Sequence, residues 1–160
     1  MGGTTIQMAL LQRALGLKRR IYALDTFEGM PEPTASDYGG GMVYTAGMFA
    51  DNRQGLVQSY YRKAGVEADI EIVPGLCQDT LPGIIAKTPH VAFAFLDTDQ
   101  YAGTNGGLDM IGPVLRCGDV IVVDDTSVHG VDTAIREALA RDAGLVRAPV
   151  LMNFDLVFRH

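Results

Sequence analysis

Thiol chemistry is scarce in this sequence: Cys77 and Cys117 are its only cysteines in 160 residues. They have neither metal-ligand spacing nor the density of a disulfide framework, so a reduced, cytoplasmic setting is expected. Long apolar runs are also lacking. The longest, such as Val91–Leu96 and Val120–Val123, fall far short of the ~18 residues that argue for a membrane span. Met1–Ala9 carries neither a basic n-region nor a cleavage site, so no secretory signal is expected. Positive charge is sparse: 13 Lys and Arg stand against 19 Asp and Glu, for a net charge of −6, and Lys18-Arg19-Arg20 is the longest basic run. That balance argues against nucleic acid as the main partner. There is no internal repeat, low-complexity tract or linker.

What is present reads as globular. Hydrophobic residues make up 48% and charged residues 20%, a composition that argues against disorder. The length suits a single domain over residues 1–160 that buries roughly 70% of its unfolded surface. Short apolar runs at Ile21–Leu24, Ile70–Val73, Val91–Leu96 and Val120–Val123 each close on an acidic or turn residue. Apart from Glu71 they are apolar, as strands covered on both faces are. Between them, Thr4–Leu15, Gly55–Ala64, Thr104–Leu115 and Val131–Arg141 have helical spacing, with Gly16 and Gly65 as stops. Alternating strands and helices predict a doubly wound, mostly parallel α/β sheet with helices on both faces. The tail predicts a closing hairpin, Val150–Met152 with Asp155–Phe158, around Asn153.

The segment Phe27–Ala50 follows no period. It holds Pro31, Pro33, Gly39-Gly40-Gly41 and Gly47, together with Phe27, Met30, Met42, Tyr44, Met48 and Phe49. A loop this long inside a compact domain is typically functional, and its apolar content predicts a lid that packs onto something.

Ligands of open α/β sheets bind at the carboxyl ends of the strands, where this chain places Asp25, Asp97 with Asp99, and Asp124 with Asp125. An Asp after a strand is often only a helix cap. Gathered at one edge, these carboxylates would repel one another unless a cation were present. Their hard oxygens suit Mg²⁺ or Ca²⁺. Asp97 and Asp124 are 27 residues apart, the span of one strand–helix–strand unit, which predicts neighbouring strands. Asp25 is placed as a ribose acceptor. Gly2-Gly3-Thr4-Thr5 opens a helix whose N–H groups can face a carboxylate or phosphate.

With these residues assembled, the chain resembles the macrocin O-methyltransferase (TylF-type) family of class I S-adenosylmethionine-dependent methyltransferases. The resemblance is carried by Tyr22–Pro31, Gly47–Ala50, Gly75–Pro82, Phe95–Tyr101 and Val120–Asp125. It implies a Rossmann-like fold and Mg²⁺-dependent transfer of a methyl group from S-adenosylmethionine to a hydroxyl of a sugar or similar vicinal diol. It implies that Gly2, Gly3, Thr4 and Thr5 face the methionine end of the cofactor, that Asp25 holds the ribose with Thr26 and Phe27 beside it, and that Cys77 and Asp79 approach the adenine. Asp97, Asp124 and Asp125 would bind Mg²⁺, Asp99 would be the general base, and Glu28–Phe49 the lid over the acceptor. The chain departs from the family at Gln100, where an aliphatic residue is usual, at Cys117-Gly118-Asp119 and at Thr126-Ser127. A first strand and its acidic residue are missing ahead of Gly2, which reads as truncation of the domain and predicts weak or no transfer by this chain alone. A homo-oligomer remains open, and no membrane is implied. Two other readings compete: a haloacid dehalogenase-like Mg²⁺-dependent phosphatase with Asp97 as nucleophile, and an inactive fragment or binding module.

Overall fold

The structure, a computed structural model, describes residues 2–88, 90–151 and 153–160. In chain order its elements are α1 (Gly3–Ala14), β1 (Ile21–Asp25), α2 (Gln54–Lys63), β2 (Ile70–Pro74), α3 (Cys77–Lys87), β3 (Phe93–Leu96), α4 (Tyr101–Ile111), β4 (Val120–Val123), α5 (His129–Arg141), β5 (Leu145–Leu151) and β6 (Phe154–Arg159). The chain divides into two compact units. One comprises the residues up to Met30 with Gly47–Leu76; the other comprises Pro31–Ala46 with Cys77–His160.

In the first unit, β1 and β2 pair in parallel, from Ile21 opposite Ile70 to Asp25 opposite Pro74. Ile6 and Ala9 share one face of α1 because they are three residues apart. They join Val57, Tyr61, Val66 and Ile70 in the core, while Leu10, Leu11 and Leu15 on the other side are exposed. Both helices end as expected. Gly16 and Gly65 take the left-handed conformation, each with φ 69°. Their amides donate to Arg13 O and Arg62 O, and those of Leu17 and Val66 donate back to Gln12 O and Tyr61 O. This pair of bonds satisfies carbonyls that the helix leaves open.

In the second unit, β3 pairs with β4 in parallel, β4 with β6 antiparallel, and β6 with β5 antiparallel. Ile121, Val123 and Val157 are buried within the sheet. Helices α4 and α5 pack together, burying Leu108, Ile111, Val131, Ala134, Ile135 and Ala138.

The βα alternation and the parallel pairing match the expected α/β class, and the differences have local causes. Helix α3 was not anticipated, because Pro82 lies inside it and proline removes a helical hydrogen bond. Helix α4 starts at Tyr101 rather than Thr104, because a distant side chain caps its first turn. The hairpin is longer than its apolar pattern predicted. Arg147 on β5 is paired with Asp155 on β6 and with Asp132 on α5, so β5 extends back through a charged position that an apolar pattern does not mark. Of the hairpin residues expected from sequence, Met152 lies outside the described residues. No helix among the described residues is long and apolar enough to cross a membrane.

Candidate active site

In the first unit, Gly2 precedes α1 with φ 69° and no side-chain cap. A Cβ on Gly2 would come within 2.9 Å of both Tyr61 and Val57, so the start of α1 lies tight against α2. A Cβ on Gly3 would meet nothing within 4 Å. Thr5 hydrogen bonds the Tyr61 phenol, whose pKa burial nevertheless raises. Asp25 closes β1 with both carboxylate oxygens engaged: Oδ1 accepts the Phe27 N–H at 2.8 Å and Oδ2 accepts Asn52 Nδ2 at 2.6 Å. Thr26 Oγ1 donates to Gly29 O and accepts the Glu28 amide. Asn52 Oδ1 is buried and has no hydrogen-bond partner among the described residues. A buried polar oxygen without a partner costs free energy, and a ligand hydroxyl is the kind of donor that would satisfy it.

The second unit holds four of the five strand-end carboxylates expected from sequence. Asp97 and Asp99 follow β3, and Asp124 and Asp125 follow β4. The two strand ends are held together by the Asp124 amide donating to Leu96 O at 2.9 Å. Asp99 shares a hydrogen bond with Asp125. Burial, that bond and the charges of Asp97, Asp125 and Asp124 push its carboxyl up to about 8. Burial and Asp125 also raise Asp124, although Asp124 Oδ1 accepts the Asp125 amide. Asp99 and Asp125 both adopt positive φ, 57° and 53°. This is an uncommon conformation for residues other than glycine and the kind of strain that collects at functional sites. The donor set is hard oxygen throughout, which suits Mg²⁺. Among the described residues, no three His, Cys, Asp or Glu side chains converge as a ligand set.

Part of the expected lid belongs to this same unit. Asp37, 2% exposed, accepts hydrogen bonds from Thr34 N and Oγ1, and its other oxygen caps α4 by accepting the Tyr101 amide at 2.7 Å. Gln100 Nε2 donates to Pro31 O and to Tyr44 O. The Tyr44 hydroxyl donates to Asp125 Oδ2 at 3.2 Å. Burial, with the negative charges of Asp125, Asp99 and Asp97, pushes that phenol up to about 12, so it remains a hydrogen-bond donor. Two glycines allow this packing. A Cβ on Gly130 would lie 2.1 Å from Asp37 Oδ1, and one on Gly39 would lie 1.9 Å from His129 Nε2. The apolar residues Met42, Met48 and Phe49 are exposed rather than packed down. Of the other apolar residues of that segment, Phe27 packs against the core of the first unit and Tyr44 is partly buried, and polar bonds order Pro31–Ala46.

Cys77 opens α3, with its thiol donating to Gly103 O at 3.3 Å and its pKa raised by burial. Asp79 lies in the first turn of that helix. Tyr101 turns its phenol to Glu137 Oε2, His129 is the first residue of α5, and His90 bonds Asp119. The predicted cofactor residues thus fall in two groups: Gly2 to Thr5 and Asp25 to Phe27 in one unit, Cys77 and Asp79 in the other. Sequence reasoning missed Asn52, Asp37, Tyr44 and Gln100. All except Gln100 lie in or beside the aperiodic loop, where spacing carries no signal. Gln100 was visible as a departure from the family pattern.

Parallel βα units, an antiparallel closing hairpin and acids at the strand ends define the Rossmann-like fold of class I O-methyltransferases. The chain belongs to the macrocin O-methyltransferase (TylF) family, whose model matches residues 1–156. This membership displaces the phosphatase reading. The chain is 30% identical over 145 residues to the 8-demethyl-8-(2,3-dimethoxy-alpha-L-rhamnosyl)-tetracenomycin-C 4'-O-methyltransferase of Streptomyces olivaceus, covering 88% of this chain and 55% of that protein. The chain therefore spans about half the length of that relative. The crystal structure of CalS11, a calicheamicin methyltransferase, matches with a TM-score of 0.74 and 26% identity over 97% of this chain and 66% of that one. The O-methyltransferase TomG from Streptomyces achromogenes, solved with S-adenosylmethionine, shares the fold with a TM-score of 0.58 and 21% identity, covering 99% of this chain and 80% of that one.

Proposed function

We propose that residues 1–160 act as one S-adenosylmethionine-dependent domain that methylates a hydroxyl of a sugar or similar vicinal diol with the help of Mg²⁺. The observation that carries this reading is the group Asp97, Asp99, Asp124 and Asp125 at the carboxyl ends of β3 and β4, where burial, the Asp125 hydrogen bond and the neighbouring charges together raise the Asp99 carboxyl. Family membership and the methyltransferase relatives supply the reaction class. The match of one family model across both units supports treating them as one functional domain.

A sugar hydroxyl is a poor nucleophile near neutral pH, so the site must stabilise its deprotonated form. Asp97, Asp124 and Asp125 would hold Mg²⁺, which supplies positive charge for that purpose and relieves the repulsion among them. To close on an ion their side chains would have to reorient. Asp99 would then lose its proton more readily and accept one from the substrate hydroxyl as general base. Tyr44 keeps one oxygen of Asp125 occupied. In the other unit, Asp25 and Asn52 present acceptors suited to ribose hydroxyls. Gly2 and Gly3, followed by Thr4 and Thr5, offer the open amides of a helix start to the carboxylate of the methionine moiety, with Thr26 and Phe27 beside the ribose. Cys77 and Asp79 are assigned to the adenine side.

Calorimetric titration with S-adenosylmethionine, with and without Mg²⁺, tests the reading. Micromolar binding of the cofactor is expected; any methyl transfer by residues 1–160 alone should be weak, and its assay with vicinal-diol sugars tests the substrate class. Absence of cofactor binding would leave only a binding module of this fold, and turnover of a generic phosphate ester would overturn the reaction class.

A further inference from the structure

Gln100 has no part in the chemistry proposed above, yet it is 3% exposed and its side-chain nitrogen is fully committed. Its two hydrogens go to Pro31 O at 3.0 Å and Tyr44 O at 2.9 Å, carbonyls at either end of the same aperiodic segment. Between them, Asp37 fastens the middle of the segment to the start of α4 through the Tyr101 amide. Gln100 immediately precedes that helix and has extended backbone, and its side chain does not cap the helix. Glutamine therefore holds the loop, while the loop's own aspartate caps the helix. The far end of the segment delivers the Tyr44 hydroxyl to Asp125 Oδ2.

We infer that Gln100 is a positioning residue: by holding the carbonyls of Pro31 and Tyr44 it fixes Pro31–Ala46 as a rigid wall beside β3 and β4 and aims the Tyr44 hydroxyl at Asp125. The inference rests on the reading of Asp125 as part of the reacting centre. Only a side chain with two hydrogens on one planar nitrogen, on a stem of this length, meets both carbonyls. Leucine would remove the donor that the two carbonyls share, and glutamate would set negative charge against them. The side chain at position 100 therefore acts on the acceptor pocket through the loop, by deciding where Tyr44 stands and which oxygen of Asp125 stays available.

The test compares the protein with its Gln100→Leu, Gln100→Glu and Tyr44→Phe variants. Amide hydrogen exchange should show the Asp37 and Tyr38 amides, which donate to Thr34 O and Ala35 O, losing protection at least tenfold in both Gln100 variants. Amides of α5 should stay protected, which marks the fold as intact. In protein labelled at the tyrosine ζ-carbon, the Tyr44 resonance, assigned by its loss in Tyr44→Phe, should move toward that of an exposed tyrosine in Gln100→Leu. It should also shift in Asp125→Asn. Tyr44→Phe itself should leave the Asp37 and Tyr38 amides protected, which separates the clamp from the residue it carries. Unchanged protection and an unmoved resonance in a folded Gln100→Leu protein would overturn the inference. S-adenosylmethionine affinity, measured in parallel, should be unchanged by Gln100→Leu; a protein that fails to bind the cofactor at all would defeat the methyltransferase reading, while exchange and resonance still decide the clamp.

Discussion

Asn52 Nδ2 donates to Asp25 Oδ2 across 2.6 Å, joining residues 27 positions apart within one unit and leaving Asn52 Oδ1 buried without a partner. Under the proposed function, this carboxylate and the spare carboxamide acceptor would receive two adjacent hydroxyls of the ribose. Asn52→Leu should therefore weaken S-adenosylmethionine binding by about 1–3 kcal/mol, roughly five- to 150-fold in Kd. Calorimetry with the 2′-deoxy cofactor checks the cause. If the wild-type protein binds deoxy and ribose forms equally, the pair does not face the ribose.

The carboxylate group predicts a pH dependence. Burial and its neighbours raise Asp99 from the ordinary carboxylate range to about 8. A raised carboxyl holds its proton more tightly in the folded than in the unfolded chain. Its contribution to stability is fully present below its unfolded value and declines as pH rises toward 8. Asp99→Asn removes this decline. In the presence of a chelator, the melting temperature of the variant should exceed that of the wild type by a margin that widens between about pH 5 and 8. A constant margin across that range would remove the assignment.

Asp97→Asn and Asp124→Asn should each reduce Mg²⁺ affinity by at least tenfold, as expected when one carboxylate of a hard-oxygen set is lost. Asp79→Asn, on α3, should leave it unchanged. Titration with Mg²⁺ alone decides this without a methyl acceptor, and equal affinities in all three variants would sink the metal assignment.

Gly130→Ala would set a methyl group on Asp37 Oδ1 and 3.0 Å from the Tyr101 amide. Overpacking of this kind costs about 1–3 kcal/mol, and here it should also uncap α4. Denaturant unfolding should show the loss, and the same change in an Asp37→Ala background should cost less, because both act on one contact. Additive costs would mean that the two residues do not meet.

Arg147→Met should destabilise the protein by about 3–5 kcal/mol, because it leaves the buried Asp155 carboxylate without its cation. Burial raises the Asp132 carboxyl, but the hydrogen bond and charge of Arg147, with Arg136 beside it, hold it below the ordinary range. Stability from a lowered carboxyl is present above its unfolded value and is lost as pH falls through the folded one. The cost of Arg147→Met should accordingly shrink in acid; a cost independent of pH would refute the pairing.

How much of this was legible in the sequence differs by element. Apolar runs ending in Asp located β1, β3 and β4 because buried parallel strands tolerate no polar alternation. The same ends located the carboxylates, since a strand terminus fixes where the next side chains emerge. Helix α3 was not legible because Pro82 lies inside it and breaks the pattern that marks a helix. Asn52, Asp37 and Tyr44 were silent for a different reason. Their roles depend on bonds to residues 27, 64 and 81 positions away, and no local period encodes such contacts.

Phe27, Phe49, Asp99 and Asp125 all hold a backbone conformation that glycine would adopt more easily. On backbone grounds alone, replacing any of them with glycine relieves strain of order 1 kcal/mol. At Asp99 and Asp125, however, glycine deletes the acid itself. Directed evolution for thermal tolerance alone would therefore tend to erase these two positions first, and a lineage that kept its aspartates through such selection would be one in which the chemistry was still in use.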